Sequence, residues 1–385
     1  MSKRRQNRRV RRVIKEKEIG ACSIFGALNQ AGERFGGEGV VRAIANMHDR
    51  SNGLGGGFAI YGLYPEYRDY YALHVMYENE NQVAKEKAEA YIHKHFDVVH
   101  DEEIPNSGEP KAPNAPRTWR YFVAPSEKVD AFENEDYVVQ KVIELNSTIK
   151  DACIFSSGKN MGVFKGVGYP EDIAEYFLLD KLYQGYLWTA HGRFPTNTPG
   201  SWTGAHPFNL LDRTVVHNGE ISSYGTNRRH LEMYGYKCIA NTDTEVLIYA
   251  TDLLLRRQGL PMELATKILA PPVWEAIKNE KEKERHLLTT LRQVYAPLLM
   301  NGPFAIIIAS HGEMIGLTDR IRLRPLTAAT SGDMLYLSSE EASIRLISPK
   351  LDKVWTPNGG EPVVGKVTKR VKVKNEVLPL ARVSA

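Results

Sequence analysis

Between Leu187 and Val246 the chain repeats one device: a short apolar run that ends in a polar, turn-prone cluster. The clusters are His191-Gly192-Arg193-Phe194-Pro195-Thr196, Ala205-His206-Pro207-Phe208, Val215-Val216-His217-Asn218-Gly219-Glu220-Ile221 and Asn241-Thr242-Asp243-Thr244-Glu245-Val246. A sheet presents side chains from the ends of its strands in this way, so the pattern calls for several strands that deliver polar groups to one edge. Arg193 can fork onto a carboxylate. Asn218 and the Gly219 amide can donate to a developing oxyanion. Asp243 can hold an ammonium. A ligand with both a carboxylate and an ammonium is an amino acid. None of the four clusters contains a cysteine.

A candidate nucleophile stands near the start. Cys22-Ser23-Ile24-Phe25-Gly26-Ala27-Leu28 begins as a strand, directly after a polar leader. The ordinary reading of Cys22 is a small buried apolar residue. Its position offers another. If the chain is cut after Ala21, Cys22 gains a free α-amine with a pKa of roughly 8. One residue would then supply both nucleophile and base. The net charge of +4 belongs to this leader, because residues 1–21 hold nine Lys or Arg against Glu16 and Glu18, leaving −3 for the rest. A body of that charge argues against a nucleic-acid-binding domain. The leader reads as a flexible basic arm, a transit peptide or a propeptide removed before Cys22, and it is too polar for a secretory signal.

At 385 residues and 42% hydrophobic, the chain is long and apolar enough for one large core or two modest ones. It has no apolar run of about 18 residues, so no transmembrane helix and no membrane partner are expected. The three cysteines, Cys22, Cys153 and Cys238, lack metal-ligand spacing and form no disulfide framework. A reduced, cytoplasmic setting is expected, with no metal and no cofactor.

Periodicity predicts a helix over 38–47. The glycines of Leu54-Gly55-Gly56-Gly57-Phe58 do not have P-loop spacing, and they read as a close backbone approach before a buried strand. Residues 66–160 look like an inserted unit with strands over 70–77, 119–124 and 151–156 and helices over 82–96 and 137–145. Further helices are expected over 174–183, 245–257 and 262–298, the second opened by a capping box at Thr242-x-x-Glu245. Strands are expected over 304–310, 313–318, 334–338 and 363–373.

Taken together, the motifs resemble those of the class II glutamine amidotransferases, whose glutaminase domain is an N-terminal-nucleophile hydrolase. The resemblance rests on Cys22-Ser-Ile-Phe-Gly, His191-Gly-Arg-Phe-Pro-Thr, Ala205-His-Pro-Phe, His217-Asn-Gly-Glu and Thr242-Asp-Thr-Glu-Val, in that order. Arg324-Pro-Leu and Ser338-Ser-Glu-Glu-Ala also fit. The insert and the Leu-Gly-Gly-Gly-Phe-Ala run look most similar to the glutaminase part of glutamate synthases. Two places depart from the family pattern: Ser23 stands where Gly is usual, and Arg50-Ser51-Asn52-Gly53 replaces His-Arg-Gly-Pro.

The resemblance implies an α+β fold, a four-layer αββα sandwich carrying a small inserted α+β subdomain. The expected division is a leader over 1–21, an amidotransferase domain over 22–375 with its insertion at 66–160, and a tail over 376–385. The resemblance also implies roles. Cys22 would attack the glutamine side-chain amide with its α-amine as base, and Asn218 and Gly219 would form the oxyanion hole. Arg193 would bind the substrate carboxylate and Asp243 its ammonium. Thr196 and His206 would line the pocket, and Arg50 matches an Arg that lies near the nucleophile. No Ser-Gly-Gly-x-Asp loop, phosphoribosyl-diphosphate loop, sugar-isomerase segment or iron–sulfur cysteine cluster follows. The expected function is therefore a glutaminase subunit that passes ammonia to a separate synthase subunit, of the glutamate synthase type, in a hetero-oligomer. The alternative is a non-catalytic regulatory or assembly subunit that keeps the fold.

Overall fold

The computed structural model describes residues 21–78, 81–110, 115–126, 131–194 and 200–368. The leader, the tail and Thr196 lie outside them, apart from Ala21 at the leader's end. Two antiparallel sheets face each other. The seven-stranded sheet has the order Lys353–Trp355, Thr327–Ser331, Met334–Ser338, Ser23–Asn29, Leu187–Gly192, Gly56–Tyr61, Met161–Gly166. The five-stranded sheet has the order Phe208–Leu210, Arg213–Gly219, Phe304–Ser310, Glu313–Thr318, Val363–Lys366. The central strand Ser23–Asn29 packs across three strands of the second sheet, from Arg213–Gly219 to Glu313–Thr318.

Side-chain alternation makes the layers. Val216, Ala305, Ile307, Ala309 and Met314 join the core between the sheets, with Ile24, Leu28 and Leu187. Their neighbours Val215, Ile306, Ile308 and Ile315 point the other way and join Val246, Leu247 and Ile248. A strand reverses direction at every residue, so both faces of the second sheet can be apolar only if both are covered. Helix Asp243–Asp252 covers that outer face, with helix Tyr224–Glu232 packed against it. Helices Glu38–Ala45, Pro170–Tyr176 and Glu341–Ile347 cover the outer face of the seven-stranded sheet. The result is an α+β sandwich of four layers, helix on sheet on sheet on helix.

A third sheet occupies much of the stretch between strands Gly56–Tyr61 and Met161–Gly166. Its order is Phe96–Glu103, Arg117–Pro125, Tyr71–Tyr77, Ala152–Ser156, with helices Gln82–His95 and Ala131–Thr148 on it. Sequence periodicity missed Phe96–Glu103, whose buried and more exposed residues alternate but whose outward positions are largely acidic. Two expected helices also break. The one over 174–183 becomes Pro170–Tyr176 and Leu179–Leu182, divided where Leu178 takes φ 55°. The one over 262–298 becomes Met262–Leu269, Trp274–Lys278 and Glu282–Val294, and Pro271-Pro272 explains the first break.

One buried charge cluster ties the third sheet's helix to the sandwich. Arg256 donates to Asp252 at 2.7 and 2.8 Å and to Asp136 at 2.6 Å, and Tyr236 Oη donates to Asp252 at 2.6 Å. Asp252 is fully buried. Removing its cation leaves an uncompensated buried carboxylate, so Arg256→Ala should destabilise the protein by about 3–5 kcal/mol in urea unfolding. A loss under about 1 kcal/mol would show that the cluster is no anchor.

Candidate active site

Three strand ends converge at Cys22. Strand Ser23–Asn29 runs antiparallel to Leu187–Gly192 with Ser23 opposite Gly192, so the residues just past Gly192 reach back towards Cys22. The Phe194 N–H donates to Cys22 Sγ at 3.3 Å. On the other side, Ile24 N–H donates to Ser339 Oγ at 3.1 Å and Ser339 N–H donates to the Ile24 carbonyl at 3.0 Å. From the facing sheet, Asn218 Nδ2 donates to the same Ser339 hydroxyl at 3.4 Å. Asn218 is fully buried, and its Oδ1 has no partner among the described residues. Ser23 also fits here. A Cβ on residue 192 would stand 2.5 Å from Ser23 Oγ, so the glycine across the ladder gives that side chain its room.

Glycine is required at two nearby positions. Gly219 ends its strand at φ 142°, and a Cβ there would lie 2.0 Å from the Pro303 carbonyl oxygen. At Gly57 a Cβ would lie 2.3 Å from the His206 carbonyl oxygen. The glycine run thus lets the His206 segment settle on strand Gly56–Tyr61, the close approach expected from the sequence.

Opposite charges act on the thiol. Burial raises the Cys22 pKa; the Phe194 N–H and the Arg193 and Arg324 cations pull it down, and Asp243 pushes it up. The net shift is upward, so the thiol is protonated at neutral pH and needs a base to act as a nucleophile. Arg193 is buried and anchored through its backbone: its N–H donates to Gly55 at 2.8 Å and its carbonyl accepts from Ser51 Oγ at 3.0 Å. Burial lowers its pKa, while Cys22 and Asp243 act the other way.

Asp243 opens helix Asp243–Asp252, where the helix dipole favours a carboxylate. Its Oδ2 accepts from Ile221 N–H at 2.9 Å, and its Oδ1 accepts from Thr244 Oγ1 at 3.3 Å with His217 Nδ1 at 3.5 Å. Burial works to raise its pKa, but His217 and these hydrogen bonds outweigh burial and lower it. The aspartate therefore stays ionised and is a poor base. The capping box is half formed. Thr242 Oγ1 accepts from Glu245 N–H at 3.2 Å, but the Glu245 carboxylate turns to the N–H groups of Ile239 and Ala240, both at 2.9 Å.

His191 and His206 form a neutral layer behind these groups. His191 Nε2 donates to the His217 carbonyl at 2.9 Å, linking the two sheets, and the ring of His206 lies 4.1 Å from that of His191. Burial lowers the His191 pKa to about 3 and takes His206 well below its ordinary value.

Cys22, Arg193, Asn218 and Asp243 thus come to one place, with Gly219 next to Asn218. His206 stands beside them in the histidine layer. Arg50 engages elsewhere, donating from Nη1 to Glu340 at 2.9 Å. Sequence reasoning gave no role to Ser339, Arg324 or Glu340, although both motifs containing them had been noticed. Among the described residues, no group of His, Cys, Asp and Glu is arranged to hold a metal ion, and no helix is long and apolar enough to cross a membrane.

Residues 66–358 match the family model described as glutamine amidotransferases class-II. The match begins beyond Cys22 and Arg50. An uncharacterized protein of Archaeoglobus fulgidus is 57% identical over 94% of this chain and 96% of its own length. The amidophosphoribosyltransferase of Methanocaldococcus jannaschii is 25% identical over 52% of this chain, which spans 38% of that enzyme. The glutamate synthase [NADPH] large chain of Bacillus subtilis is 25% identical over 60% of this chain, which spans 16% of it.

Proposed function

Because the chain belongs to the class II glutamine amidotransferases, we propose that it hydrolyses glutamine to glutamate through a thioester on Cys22 and delivers the ammonia to a separate synthase subunit. The observation that carries this reading is that the Arg193 cation and the Asp243 carboxylate both act on the Cys22 thiol, while Ser339 links the strand that follows Cys22 to the buried amide of Asn218. Those opposite charges suit the two ends of an amino acid.

In the proposed reaction the Cys22 sulfur attacks the side-chain amide carbon of glutamine. The thiol proton passes to the α-amine of Cys22, and the carbonyl electrons move to oxygen, where Asn218 Nδ2 and the Gly219 N–H stabilise the oxyanion. The carbon–nitrogen bond then breaks. The α-ammonium returns the proton to the leaving nitrogen, and ammonia departs from a thioester. Water, deprotonated by the same amine, attacks the thioester and frees glutamate and the thiol. Arg193 holds the substrate carboxylate and Asp243 its ammonium. Thr196 and His206 line the pocket, the latter as a neutral ring, and Arg50 braces the nucleophile's surroundings through Glu340. No cofactor takes part.

This scheme needs a free amine on Cys22, whereas in the uncut chain that nitrogen belongs to the Ala21–Cys22 amide. The same reading takes residues 1–21 as a removable leader, 22–375 as the amidotransferase domain with an insertion at 66–160, and 376–385 as a tail. Similarity to glutamate synthase supports a synthase of that type as the partner, in a cytoplasmic hetero-oligomer. The active protein should have Cys22 as its first residue by intact mass. A preparation that hydrolyses glutamine while retaining residues 1–20 would overturn the proposed base. A processed chain without hydrolysis would favour a regulatory or assembly role.

A further inference from the structure

A cleft of about 280 Å³ lies away from Cys22, between strand Ala152–Ser156 of the third sheet and helix Asp243–Asp252. Neither Cys22, Arg193, Asn218 nor Asp243 lines it. We infer that this cleft is a second binding site, for a small anion bearing a carboxylate or phosphate group, with Lys165 as its charged recognition group.

Lys165 is 2% exposed and lines the cleft. Its Nζ donates to the Thr203 carbonyl at 2.9 Å and stands 4.5 Å from the centre of the Phe208 ring. That hydrogen bond uses one of three ammonium donors. Among the described residues, no carboxylate forms an ion pair with it. A buried cation without a direct ion pair is costly, and chains seldom keep one unless something neutralises it. Burial lowers the Lys165 pKa to about 8, with Cys153 and Glu245 acting against that shift. The group therefore remains largely charged at neutral pH.

Three carboxylates, Glu78, Asp151 and Glu245, and the exposed Lys150 also line the cleft. Glu245 accepts from the Ile239 and Ala240 N–H groups and from Tyr249 Oη, and Asn146 exchanges hydrogen bonds with the Ile154 backbone. Asn209 is spent on Ser157, Leu211 and Arg213. Among the buried lining groups, spare donor capacity thus lies at Lys165 Nζ, which selects a negative group. The cleft is smaller than the ~300–1,000 Å³ of sites for drug-sized ligands, so the occupant is a small metabolite. The inference does not depend on glutamine hydrolysis.

The test is calorimetric titration of the full chain with inorganic phosphate and, separately, with succinate. At least one should bind saturably at pH about 7, and binding should weaken at least about tenfold at pH about 9.5, where Lys165 is mostly neutral. Binding of only one identifies the source as phosphate or carboxylate. Lys165→Met should remove the saturable site, and so should Ala240→Trp, which obstructs the cleft and leaves the charge. Cys22→Ala should retain it. Circular dichroism shows which variants fold, and Lys165→Met decides the question if Ala240→Trp does not. Unchanged binding in folded Lys165→Met, or no saturable binding of either anion by the folded parent at tens of millimolar, would overturn the assignment.

Discussion

Cys22→Ala is expected to abolish glutamine hydrolysis, by on the order of 10⁴-fold or more, and to leave the fold intact. The large kinetic effect follows from losing the only atom that can form the proposed thioester. The small structural effect follows from position: Cys22 precedes its strand, is only partly buried as a residue, and its sulfur accepts a single 3.3 Å hydrogen bond from Phe194. Circular dichroism and unfolding should match the parent. Cys153→Ala and Cys238→Ala should keep most activity. Burial pushes both thiols up to about 12, so they are protonated and inert at neutral pH. A glutamine analogue with an electrophilic side chain should label Cys22 alone. Labelling of Cys153 instead would refute the assignment.

Asn218→Ala and Asp243→Asn should fail in different ways. Asn218 is proposed to meet charge that exists only in the transition state, so its loss should lower kcat by about 100- to 1,000-fold with KM little changed. Asp243 is proposed to bind an ammonium that is present throughout. A charge-assisted hydrogen bond contributes about 1.5–3 kcal/mol. Removing the charge should therefore cost roughly 10- to 150-fold in kcat/KM, mostly through KM. Asparagine keeps an oxygen for the Ile221 N–H, so the start of the helix survives. The pH dependence has a definite sign. The Asp243 pKa is lowered, so its contribution holds through neutral pH and is lost only as pH falls below the ordinary aspartate range. Steady-state kinetics across pH would check both variants. Loss of kcat alone in Asp243→Asn, or of KM alone in Asn218→Ala, would show that the roles are misassigned.

Arg50 and Ser339 show how far reading along the chain reaches. Arg50 was placed near the nucleophile because its segment occupies a family position, but the chain does not reveal that Glu340 takes its guanidinium. Ser339 lies 315 residues from Ile24, yet its hydroxyl joins the nucleophile's strand to Asn218. Neither contact has a local pattern, because each depends on which strands become neighbours.

Local chemistry was enough for features that depend on near neighbours in sequence. Alternating apolar residues marked most strands, Thr242 marked a helix start, and proline and glycine marked breaks and close approaches. The strand-end clusters placed Arg193, Asn218 and Asp243 at the ends of elements, where side chains are free to meet a ligand. Their order after Cys22 pointed to the family. Tertiary structure alone decided the rest. It made an acidic segment, Phe96–Glu103, into a strand by pairing it with Arg117–Pro125, and it split the helix over 174–183 at Leu178. It also enclosed Lys165 in a cleft where, among the described residues, its charge has no direct ion pair. Strand pairing, burial and electrostatic environment are sums over residues distant in sequence, and they acquire values only when the two sheets close on each other.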